Sequence, residues 1–235
     1  MSALLEVEGL GKRFQGLVAN ADIDFSLARG EIRSVIGPNG AGKTTFISMI
    51  SGHLAPTTGR IRYKGQDITR LPVVRRARLG IGRKFQTPSL FDNLSARENV
   101  ELAVLRARAP RRRIGEVLDR VRLGAEARTP AKHLPHGQRQ WLEIALLLAN
   151  AAELVLLDEP TAGMTAEETH ATGALIRELA RELGLSTIVI EHDINFIRDL
   201  AAPVTVLHLG RVLTQGPFEA VAADPQVRDV YLGNA

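Results

Sequence analysis

The chain has 235 residues, 45% hydrophobic and 24% charged, with 30 basic side chains against 26 acidic. That supports a sizeable core, and with only 4% aromatic residues for base stacking, nucleic acid is not an expected partner; the arginine runs at 75–78 and 111–113 read as solvated faces. The absence of cysteine excludes disulfides and thiolate chemistry, the most apolar stretch (144–157) is too short and too polar to cross a bilayer, and the N-terminus lacks a signal-peptide pattern.

In chain order, residues 21–27 place Ile23, Phe25 and Leu27 on one face, which predicts a half-buried strand. Residues 32–36 (IRSVI) read as a short buried strand, followed by a glycine-rich turn and a helix from about Lys43 to Ser51. Residues 57–68 suggest a turn between short strands, punctuated by Gly59 and Gly65. From about Pro88 to Asn150 the periodicity is helical, with Ser95 and Glu98 forming a capping box and Pro110, Pro130 and Pro135 separating the helices. Buried-strand patterns return at 154–158 and 186–193, flanking a helix from about Ala166 to Leu183. Short strands and turns then lead to a small helix near Pro225–Leu232. The alternation predicts an α/β fold with a helical insertion.

The run Gly37-Pro38-Asn39-Gly40-Ala41-Gly42-Lys43-Thr44-Thr45 matches G-x-x-x-x-G-K-[ST] between a predicted strand and a predicted helix. Glycines let successive amides turn inward on an anion, and the helix N-terminus adds partial positive charge. Lys43 can reach the β- and γ-phosphates and the Thr44 hydroxyl can join a Mg²⁺ shell, so nucleotide binding is expected. The strand LVLLD ends in Asp158, followed by Glu159. Adjacent strand residues point to opposite sides, which suits Asp158 to the metal and Glu159 to the attacking water.

These motifs give the chain, over its whole length, a resemblance to the ATP-binding subunits of ABC transporters. GPNGAGKTT looks like the family's Walker A, LVLLDEP its Walker B with the catalytic glutamate, and Phe85-Gln86 the start of its Q-loop. LPHGQ (134–138) resembles the LSGGQ signature, His192 the switch histidine, and Phe14 the aromatic residue that stacks on adenine. By residue type alone, Gln86 also fits a surface position, His192 a structural histidine, and Phe14 and Trp141 the core.

The resemblance implies a P-loop NTPase core with a mixed β-sheet, flanking helices, an N-terminal antiparallel β subdomain and an inserted helical subdomain. It would be one ATP-binding domain, with 1–86 and 151–235 as catalytic core and 87–150 as insertion. ATP and Mg²⁺ are implied, with Thr44, Gln86 and Asp158 around the metal and Glu159, His192 and Gln86 in catalysis. His136, Gly137 and Gln138 would meet the nucleotide of a second ATP-binding subunit, with a heterodimer favoured. Membrane permease subunits are the direct partners and a substrate-binding protein an indirect one, at the cytoplasmic face of the inner membrane. Two departures stand out: Pro135 replaces the signature serine, and Thr165 replaces the D-loop aspartate. The stretches 80–103 and 136–149 and the ending VYLG resemble the ATPases of urea importers, with branched-chain amino acid importers as the alternative. A soluble ABC-type machine is disfavoured, since those carry tandem cassettes or long coiled-coil insertions.

Overall fold

A computed structural model describes residues 3–84 and 90–232. Strands β1 (Leu5–Phe14), β2 (Leu17–Leu27), β4 (Thr58–Tyr63) and β5 (Gln66–Asp67) form an antiparallel sheet in the order β2-β1-β4-β5. The second sheet contains β3 (Ile32–Ile36), β6 (Ile81–Lys84), β7 (Leu154–Asp158), β8 (Ser186–Ile190), β9 (Val204–His208) and β10 (Arg211–Gly216). Its order is β10-β9-β3-β8-β7-β6, parallel except for the edge strand β10. The mixed sheet and antiparallel subdomain are those expected.

Strand β1 was not legible as a strand, and its register explains why. Leu5 and Val7 point inward, the pairing slips between Val7 and Leu10, and Leu10 is buried as well. The bulge breaks the period-two pattern that a sequence reading looks for. Strand β6 is hidden differently: two of its four residues are the cations Arg83 and Lys84.

Helix α1 (Lys43–Ser51) follows β3, and α2 (Val73–Arg78) precedes β6. Helices α3 (Ala96–Arg106), α4 (Arg113–Arg120) and α5 (His136–Ala149) stand between β6 and β7. Helix α6 (Ala166–Leu183) links β7 to β8, α7 (Ile194–Asp199) links β8 to β9, and α8 (Phe218–Ala223) and α9 (Pro225–Leu232) follow β10. The predicted capping box is present at α3: the Ser95 hydroxyl accepts from the Glu98 amide, and the Glu98 carboxylate accepts from the Ser95 amide.

Alternation along β7 divides the core. Leu154 and Leu156 pack with Phe46, Ile47 and Ile50 of α1, beneath the antiparallel sheet. Val155 and Leu157 pack with Leu142 and Ala145 of α5 and Leu175 and Ile176 of α6. A strand buried on both faces reads as a continuous apolar run, which is why LVLLD was legible.

The cations of β6 serve the two faces separately. Arg83 donates to Ser48 Oγ of α1 at 2.8 Å, while Lys84, 3% exposed, lies 3.7 Å from Glu143 of α5. The run 75–78 is not wholly a solvated face as expected. Arg76 is 1% exposed and donates to the carbonyls of Met49 and Ile50 at the C-terminus of α1 and to those of Leu71 and Thr69. Burial lowers its pKa to about 10, and a cation there complements the helix dipole.

Removing one member of a buried ion pair leaves the charge of the other less well compensated. Lys84→Met should destabilise the chain by about 3–5 kcal/mol, and adding Glu143→Leu should recover much of the loss. Urea unfolding of both variants checks this; a double variant no more stable than the single one contradicts it.

Candidate active site

The loop leaving β3 needs glycine for steric reasons. A Cβ on Gly37 would sit 2.2 Å from the Leu207 carbonyl oxygen of β9. At Gly42, φ is 95° and a Cβ would meet Asn20 Nδ2 at 2.4 Å, so the loop can close only around glycine. Gly42 also caps α1 without a side chain, and no acidic residue stands in the helix's first turn. The positive end of α1 is therefore not neutralised by a carboxylate of its own first turn. Lys43 Nζ folds back over the loop, donating to the carbonyls of Gly37 at 2.6 Å and Pro38 at 3.0 Å. Burial lowers the Lys43 pKa, opposed by the charges of Glu159 and Asp158. Ala41 is buried, Pro38 and Thr45 are half-buried, and Asn39, Gly40 and Thr44 are exposed. Tyr231 of α9, about a third exposed, accepts a hydrogen bond from the Gly37 amide, and lost solvation raises its pKa to about 12. The sequence offered only its place in the ending VYLG as a signal.

Asp158 ends β7 on the α1 side, 3% exposed, with Arg83 3.4 Å away. Its pKa is raised by burial, and Arg83 works in the opposite direction. The chain then turns sharply: Glu159 takes φ 48° and its amide donates to the Ile190 carbonyl at 2.9 Å. Because Asp158 pairs with Ile190 across β7 and β8, the residues just beyond the two strands meet. Glu159 Oε1 lies 3.8 Å from His192 Nδ1, with the imidazole largely exposed. Glu191, for which sequence spacing offers no signal, is 1% exposed. Its carboxylate accepts from the Thr161 amide at 2.9 Å, the Thr161 hydroxyl at 2.6 Å and the His192 amide at 3.2 Å.

The N-terminus of α5 has its partners in the segment after β7. His136 Nε2 lies 2.9 Å from the Ala162 carbonyl. The Gly137 amide donates to Glu168 Oε1 at 3.2 Å, and a Cβ on Gly137 would come within 3.0 Å of that oxygen. Gln138 Oε1 is buried without a hydrogen-bond partner among the described residues. Thr165, which departs from the family aspartate, is the N-cap of α6 in a capping box with the same Glu168. The Thr165 and Gly137 amides hold the Glu168 pKa below its usual range. Trp141 lies in the α5–α6 core, its Nε1 donating to Thr172 Oγ1 at 2.9 Å. Phe14 is 43% exposed with Lys12 Nζ 5.2 Å from its ring centre, so the ring lies at the surface. Gln86 falls outside the described residues.

No cluster of three or more His, Cys, Asp or Glu side chains among the described residues forms a metal cage. Thr44 and Asp158 offer oxygen donors of the kind that suits Mg²⁺ shared with phosphate oxygens, the usual arrangement for that ion.

A glycine-walled loop on a helix N-terminus, with a lysine over it and a buried aspartate two strands away, defines a P-loop nucleoside triphosphatase. Residues 21–162 match the family model described as ABC transporter, and the chain belongs to that family and is an ATPase of it. It is 38% identical to the lipopolysaccharide export system ATP-binding protein LptB of Acidithiobacillus ferridurans, covering 100% of this chain and 98% of the relative. It is 35% identical to the high-affinity branched-chain amino acid transport ATP-binding protein BraF of Pseudomonas aeruginosa, covering 99% and 98%. Among solved structures, it is similar to a dimeric post-hydrolysis ATP-binding cassette bound to ADP and phosphate, with a TM-score of 0.78, 27% identity and coverage of 91% and 98%.

Lys43→Ala should weaken ATP binding by about 1.5–3 kcal/mol, tenfold or more in Kd. Calorimetric titration without divalent cation checks this, and an unchanged Kd would remove Lys43 from the phosphate site.

Proposed function

We propose that the chain is the ATP-hydrolysing subunit of an import transporter, driving a small solute through a separate membrane permease. The observation that carries this reading is the Glu159–His192 pair in a site where Lys43 feels the charges of Asp158 and Glu159. In this reading the loop amides and Lys43 hold the β- and γ-phosphates, and Phe14 stacks on adenine. Thr44 and Asp158, with Gln86 by family resemblance, hold Mg²⁺, whose charge offsets that of the phosphates. Glu159 orients the attacking water and draws on its proton, while His192 bonds the γ-phosphate and keeps Glu159 in line.

The chain works as one half of a pair, most naturally a heterodimer, in which His136, Gly137 and Gln138 meet the partner's nucleotide. The dimeric cassette among its structural relatives supports the pairing of two cassettes. With Pro135 in place of serine, the signature leans on backbone amides and helix dipole. A groove of about 700 Å³ between α2, the start of β6 and the C-terminal ends of α3 and α5, lined by Val74, Ala77, Arg78, Arg106 and Leu147, supports permease docking. No helix among the described residues is long and apolar enough to cross a membrane, which agrees with peripheral attachment at the cytoplasmic face. A substrate-binding protein would act through the permease.

For the cargo, the motif wording at 80–103 and 136–149 favours urea. The branched-chain amino acid relative favours that second reading. Purification from native membranes with partner identification, followed by uptake of labelled urea and leucine, separates them.

Glu159→Gln should bind ATP and dimerise while phosphate release falls by about 100-fold or more. Near-normal turnover would displace Glu159 from its role. Gly137→Asp should leave ATP binding by the isolated chain intact and abolish ATP-driven dimerisation, read by light scattering; loss of binding in the monomer contradicts the shared site.

A further inference from the structure

The carboxylate of Glu191 is among the most buried charged groups described, at 1% exposure, and no role above requires it. Burying a carboxylate is unfavourable unless its oxygens are satisfied. Among the described residues, the donors come from two places. Oε1 accepts from both the amide and the hydroxyl of Thr161. Oε2 accepts from the His192 amide and lies 3.8 Å from His192 Nδ1. Thr161 is two residues beyond Glu159, and His192 is the other member of the proposed hydrolytic pair.

The backbone at Glu159 adds a reason for such a tether. A non-glycine residue at φ 48° persists only when its surroundings hold it. Its own amide is tied to the Ile190 carbonyl, one residue before Glu191. The chain beyond it is tied through Thr161 to Glu191. Both ends of the turn are thus anchored on two consecutive residues of the segment that carries His192. Lys84, under the neighbouring strand end, supplies positive charge that senses Glu191 together with Glu143 and Asp158.

We propose that Glu191 is a positioning residue for ATP hydrolysis: its buried carboxylate fixes the turn after Glu159 and the backbone of His192 against each other, so that the two side chains keep one relative placement at the γ-phosphate. The inference rests on the reading of Glu159 and His192 as the hydrolytic pair. It assigns Glu191 no contact with nucleotide or water.

The test is a comparison of turnover with binding in the full-length chain. Glu191→Ala should lower kcat by about 100-fold, the scale expected when a reacting group is misplaced by an ångström, with ATP affinity in EDTA within about twofold of wild type. Glu191→Gln keeps an acceptor for Thr161 but turns an amide donor toward the His192 N–H, so it should fall between the two. Thr161→Val, which removes only the hydroxyl, should lower kcat less than Glu191→Ala, again without a change in affinity. In a Glu159→Gln background, measured by single turnover, Glu191→Ala should have little further effect. Wild-type kcat in Glu191→Ala, a parallel loss of kcat and ATP affinity, or full additivity with Glu159→Gln would each overturn the proposal. Should Glu191→Ala fail to fold, Thr161→Val decides: reduced kcat at unchanged affinity supports the tether, and unchanged kcat overturns it. The underlying reading fails separately, if Glu159→Gln alone retains turnover.

Discussion

Everything at this site depends on β8 lying between β3 and β7 in parallel register. That pairing aligns the carboxyl ends of three strands, and each strand then releases one part of the site. From β3 comes the phosphate loop, from β7 Asp158 and Glu159, and from β8 Glu191 and His192. In open α/β sheets ligands gather at the carboxyl ends of the strands because the loops there can converge without obstructing the hydrogen-bonded ladder. The apolar runs of β7 and β8, buried on both faces, hold that alignment, so the geometry of the polar residues is set by the packing of leucines, valines and isoleucines several ångströms below them.

Buried charge gives the same region its second layer of definition. Arg83 links α1 to Asp158, Lys84 meets Glu143 on the opposite face, and Arg76 sits among carbonyls at the far end of α1. Such groups contribute little net stability compared with apolar replacements, but they tolerate few alternative arrangements. Helix α1 is consequently fixed at both ends: by glycine-enforced close packing at the phosphate loop and by a buried guanidinium at its C-terminus.

The sequence revealed those parts of the fold whose signals are local. Helices α1 and α6 run between the residues expected, since each ends at a glycine in the left-handed region. Strand β1 escaped because a bulge shifts its parity, β6 because cations occupy half of it, and α2, α7 and α8 because six residues are too few for a helical period to register. The site followed the same rule. The loop at 37–45 and the Asp-Glu pair are contiguous words with a mechanism attached. Glu191 and Glu168 act through contacts with residues 30 or so positions away, and single-sequence spacing carries no trace of such pairings.

Glu168 closes the N-terminal turn of α6 with one oxygen and rests on the Gly137 amide at the mouth of α5 with the other. Two helices therefore share a single anion. An anion that took the Gly137 amide would compete with this carboxylate, which would stay attached to the neighbouring helix. The start of α6 and the mouth of α5 are thus joined by one side chain, whose length sets how far the two helix ends can part.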